Sequence, residues 1–162
     1  MKKLESNLIE LKKEYEKFRK KYKLPKFSEL NQEFEIEKIQ EKETEFLLRE
    51  IRRAIGEKIV ALLRFFELFL NPQTAPLFIL AMLKNVNLND KELIEKIYYK
   101  LVNFELTSIT LDIIYNEKKE VEFIKEVTKK WQELKPELYN FSKIIERIKF
   151  REKERKRKSY FG

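Results

Sequence analysis

The run Ile59-Val60-Ala61-Leu62-Leu63-Arg64-Phe65-Phe66-Glu67-Leu68-Phe69-Leu70 holds only two charges in a chain whose residues are 40% charged. With the preceding segment from Glu43 it reads as one helix whose second half is apolar on nearly every side. A helix of that kind is buried. The stretch from 43 to 70 therefore predicts the central rod of a helical bundle, and the rest of the chain is its cover.

The chain also lacks the residues that sheets need. Two Gly and four Pro in 162 residues leave few turn signals for strand ends. The expected fold is all-α, a single helical bundle of five or six helices over residues 1–150, followed by a basic, fraying tail at 151–162.

There is no Cys and no His, so disulfides, thiolate metal sites and imidazole general bases are excluded. The two glycines, Gly56 and Gly162, form no phosphate-cradling loop. Carboxylates alone could hold Mg²⁺, which leaves an enzyme of that type as the last-ranked reading, with Asp112 as its acid. No cofactor is expected. Abundant Lys, Glu and Ile beside two Met resembles thermophile composition.

Leu4, Leu8, Leu11, Tyr15, Phe18 and Tyr22 form a heptad-like stripe, one amphipathic helix ended by Leu24-Pro25. It packs on its own bundle or projects as a docking helix for a protein partner or a second copy. Ser28 is expected to cap a short turn, and the alternation Phe34 to Ile39 reads as an extended or loosely helical connector. Gly56 costs roughly 1 kcal/mol against Ala inside a helix, which implies close approach of another helix. Asn71-Pro72 stops the rod, and residues 76–83 fold back on it as a short apolar helix. A helix from about Asp90 to Phe104 follows, with a new cap at Leu106-Thr107-Ser108. Beyond it, apolar spacing runs through Trp131, a packing residue, and across Pro136, which demands either a kinked helix or two nearly collinear ones.

Charge is unevenly placed within the net +8. Residues 1–23 carry nine Lys/Arg against four Glu, and residues 149–162 carry seven against two. Two basic ends on a nearly neutral body suggest acidic partners. Lys153, Arg155, Lys156, Arg157 and Lys158, followed by Tyr160 and Phe161, have the composition to contact phosphates and stack on bases. Lys17, Arg19, Lys20 and Lys21, with Lys12 and Lys13, form a second strip. Arg49, Arg52 and Arg53 are a third candidate, since guanidinium forks match phosphate or carboxylate.

The N-terminus lacks the apolar core of a secretory signal, and residues 59–83 are broken by charges and a turn into pieces too short to span a bilayer. The expectation is a cytoplasmic, non-catalytic interaction module, a small subunit or adaptor of a larger assembly. Sequence-nonspecific nucleic-acid binding through the basic ends is the alternative.

Overall fold

The structure is a computed structural model that describes the backbone of residues 2–41 and 45–160 and the side chains of residues 7–40 and 45–148. The described residues form six α-helices and no strand: α1 (Lys2–Tyr22), α2 (Phe27–Phe34), α3 (Leu47–Leu70), α4 (Leu77–Leu83), α5 (Leu88–Ile113) and α6 (Glu117–Tyr160). Short 3₁₀ turns at Ile36–Glu41 and Pro72–Thr74 join them. A helical bundle is the architecture. No described helix is long and apolar enough to cross a membrane.

Local chemistry sets the helix ends. Asn87 caps α5 in a reciprocal box: its side-chain oxygen accepts from the Asp90 N–H at 2.9 Å while its own N–H donates to the Asp90 carboxylate at 3.0 Å. Asn116 caps α6 by accepting from the Lys119 N–H. At α2 the capping position is Lys26, whose N–H donates to Glu29 at 3.1 Å, and Ser28 lies inside the helix. The expected cap at Leu106-Thr107-Ser108 is absent because Thr107 and Thr110 turn their hydroxyls to the carbonyls four residues back, leaving α5 intact to Ile113. α1 and α2 end on left-handed Lys23 (φ 53°) and Glu35 (φ 54°), in a chain with few glycines to spare for such positions. α6 runs unbroken through Pro136 and on to Tyr160, past the expected end near residue 150. The segment after 150 is mostly Lys, Arg and Glu in sequence, which are good helix formers.

The chain divides into two compact units, Met1–Ala61 with Asn103–Trp131 and Leu62–Val102 with Gln132–Gly162. In the first, the buried stripe of α3 is Leu47, Leu48, Ile51, Ala54, Ile55 and Ile59. Leu11 and Tyr15 of α1, Leu30 and Phe34 of α2, Ile36, Ile39 and the α6 residues Ile124, Val127 and Trp131 complete that core. Trp131 packs on Phe34 with ring centroids 5.1 Å apart, and its indole N–H donates to Glu33 at 2.9 Å. Gly56 does meet another helix: a Cβ there would lie 3.4 Å from Ser108 Oγ of α5.

In the second unit Phe141 of α6 gathers Phe65, Phe66 and Phe69 at centroid distances of 6.0, 4.7 and 5.6 Å. Glu137 accepts from both Lys96 and Lys100, and Arg147 pairs with Asp90. The apolar second half of the rod is the less covered half: only Phe66 and Phe69 are buried between residues 60 and 70. The enclosure expected there belongs to the first half, where four other helices and the turn at Ile36–Glu41 contribute buried residues. α4 is likewise thinly covered, with Ile79 buried but Leu77 and Phe78 exposed.

Candidate functional site

The helix α5 has two apolar faces. Phe104, Ser108 and Leu111 point into the first unit and are buried. On its other side Leu106, Ile109 and Ile113 recur at i, i+3 and i+7, which is one stripe of a helix. They are 58%, 47% and 76% exposed, and Ile114 beside them is 70% exposed. Between Val102 and Asn116 there is no Lys or Arg in a chain with 36 of them. Of the two acids in that window, Asp112 is engaged internally by Arg52 and Arg53. The result is an aliphatic strip in a window without Lys or Arg.

The same helix anchors a buried ionic network on its inner side. Arg52 is fully enclosed and donates through Nε to Glu120 at 2.8 Å, through Nη1 to the Ser108 carbonyl and hydroxyl at 3.1 and 2.7 Å, and through Nη2 to Asp112 at 2.6 Å. Glu120 is fully buried too, and its Oε1 has no partner among the described residues. Burial pushes the Glu120 carboxyl upward against the pull of Arg52, while the hydrogen bond from Arg52 holds Asp112 below the usual carboxylate range. Arg53 reaches Asp112 at 3.1 Å and Glu50 at 3.0 Å. Arg49 stacks its guanidinium over Tyr115 at 4.8 Å and over Phe46 at 5.6 Å.

The three arginines do not form one shared cluster: each has a different environment. Arg52 lies in the interior, Arg53 is held by two carboxylates of its own unit, and Arg49 lies on aromatic rings. Glu57, one turn beyond Arg53 on α3, pairs with Lys38 at 2.6 Å. Asp112 is a partly exposed member of this network. The most enclosed acid is Glu120, which the sequence reading passed over. Its position was visible: Glu120, Ile124, Val127 and Trp131 share one core stripe.

The stripe of α1 faces inward. Leu11 and Tyr15 are buried and Leu8, Phe18 and Tyr22 half-buried, while the side chain of Leu4 lies outside the described residues. The Tyr15 hydroxyl donates to the Pro25 carbonyl at 2.8 Å, the Tyr22 hydroxyl donates to Glu117, and Asn7 donates to the Gln40 carbonyl at 3.4 Å. The described part of α1 is thus fastened to its own unit. Of the basic strip, Lys17 and Lys20 stand on the outer face. Arg19 is clamped in a fork on Glu16 at 2.6 and 2.7 Å, and Lys21 pairs with Glu117 at 3.1 Å. Phe161 and the side chains of Lys153, Arg155, Lys156, Arg157, Lys158 and Tyr160 lie outside the described residues.

Among the described residues no group of three or more acidic side chains is placed to share a metal ion. Comparison of the chain with protein-family models, with curated proteins and with solved structures finds no match in any of the three.

Proposed function

We propose that the protein is a non-catalytic interaction module, a small subunit or adaptor of a cytoplasmic assembly, and that it offers the outer face of α5 to an apolar surface of a protein partner. The observation that carries this reading is the exposed strip Leu106, Ile109, Ile113 and Ile114. A contiguous aliphatic strip without cations is unfavourable in water and marks an interaction surface, and i, i+3, i+7 anchors on a helix are the pattern by which helices dock into grooves. Burying such a side chain contributes roughly 1.5–3 kcal/mol each.

The test places a photo-crosslinking amino acid at Ile109 and, as a control, at the exposed α6 residue Lys125, in cells that make the protein. An adduct at Ile109 and none at Lys125 supports the reading. The double variant Ile109→Glu/Ile113→Glu is expected to remove the adduct without loss of fold, since both side chains are solvent-exposed. Equal labelling at both positions, or none at Ile109, counts against it.

A further inference from the structure

A second surface lies in the first unit, where α1 and α2 diverge into an open groove of about 950 Å³. Six cations and one carboxylate line it. The carboxylate, Glu16, is already committed to Arg19. Lys13, Lys17, Lys20 and Lys26 make no ion pair among the described residues, and Lys12 sits over the ring of Phe27 at 5.6 Å. Lys13, Lys17 and Lys20 occupy positions i, i+4 and i+7 of α1, a row about 10 Å long at 1.5 Å per residue. Opposite them α2 contributes the half-exposed Phe27 and the polar side chains of Ser28, Asn31 and Gln32.

We propose that this groove is a binding site for single-stranded nucleic acid, with backbone phosphates on the α1 lysines and a base against Phe27. A regular row of unpaired cations matches a ligand whose charge repeats along its length, and aromatic surface beside such a row suits a π-faced base. Lysine binds phosphate as a point charge, whereas carboxylates are matched by the arginine fork. The one arginine here is already held by Glu16, which favours a phosphate chain over an acidic peptide. Recognition runs through phosphates, so the site reads no defined sequence. It is separate from the α5 strip, and Ile109→Glu/Ile113→Glu leaves it unchanged.

The test is fluorescence anisotropy of labelled oligo(U), oligo(dT), duplex DNA and a polyglutamate peptide with the full chain, from low to moderate salt. Single strands are expected to bind with log K falling against log[salt] at a slope of about −2 to −3. The variant Lys13→Gln/Lys17→Gln/Lys20→Gln, whose substitutions are all on the outer face, is expected to bind at least about tenfold more weakly and to lose about 2 from that slope. Phe27→Leu is expected to cost about fivefold or more with the slope kept. The proposal is overturned by absence of binding at low salt or by a triple variant that binds as well as the parent. Polyglutamate or duplex bound more tightly than single strands through the same lysines overturns it too.

Discussion

Arg52 and Glu120, 68 positions apart in the chain, meet at 2.8 Å with neither side chain exposed to solvent. Breaking such a pair from one side leaves a charge stranded in the interior, and Glu120→Ala is expected to destabilise the protein by about 3–5 kcal/mol. Replacing both partners removes both desolvation penalties. The double variant Arg52→Met/Glu120→Leu is expected to return to within about 1 kcal/mol of the parent. Urea unfolding followed by the emission of Trp131, the single tryptophan, checks both values. Additive losses in the double variant would show that the pair's worth lies in its links to Ser108 and Asp112.

Gly56 faces Ser108 across a gap that admits a methyl group, since a Cβ would rest 3.4 Å from the hydroxyl oxygen. Its backbone is ordinary helix, so no left-handed conformation demands glycine. Gly56→Ala is expected to raise stability by up to about 1 kcal/mol through helix propensity. Gly56→Leu is expected to lower it, because the larger side chain must displace the hydroxyl that accepts from Arg52. Thermal unfolding of the two variants gives opposite shifts in Tm.

Acid acts on carboxylates in opposite senses. Glu137 is pushed up by partial burial, but the hydrogen bonds from Lys100 and Lys96 outweigh this and hold it below its ordinary value; hydrogen bonds from Arg52 and from Tyr22 do the same for Asp112 and Glu117. A pKa lower in the folded than in the unfolded state contributes stability above the unfolded pKa, and that stability is lost as pH falls through the folded one. Glu120 is raised, so its contribution lies at low pH and disappears as pH rises through its folded pKa. The hydrogen bond from Arg19 lowers Glu16 as well, so four groups stand against one and stability is expected to fall below about pH 4. Glu137→Gln should flatten that fall and Glu120→Gln should steepen it. Urea midpoints measured from pH 7 down to pH 3 decide the signs.

The all-α class was legible because two glycines and long 3.6-period stripes leave no room for a sheet, and Trp131 was legible as packing from its place in a stripe. Covering was harder to read. Composition marks residues 59–70 as the most apolar segment, yet burial depends on how many neighbours arrive, and they gather on residues 47–59. The buried partner of Arg52 was harder to read for a related reason. Arg52 shares the stripe of Leu48, Ile55 and Ile59, and Glu120 that of Ile124 and Val127, so two opposite charges at core positions announced an internal pair. The outer face of α5 was missed because the supposed cap at Ser108 split it between two helices.

Deletion of residues 1–24 separates a docking arm from a structural helix. An arm would leave the remainder folded. Here Leu11 and Tyr15 are buried, and the Tyr15 hydroxyl holds the carbonyl of Pro25. Tyr22 and Lys21 both reach Glu117 at the start of α6. Removal takes the buried Leu11 and Tyr15 out of the core of the first unit and strips α6 of its first-turn partners. The deletion is therefore expected to cost more than the roughly 5–15 kcal/mol by which domains are usually stable, leaving the first unit unfolded. The measurement is the emission maximum of Trp131, which should move to the solvent-exposed value without denaturant. A blue emission retained in the truncated chain would return α1 to the role of a detachable arm.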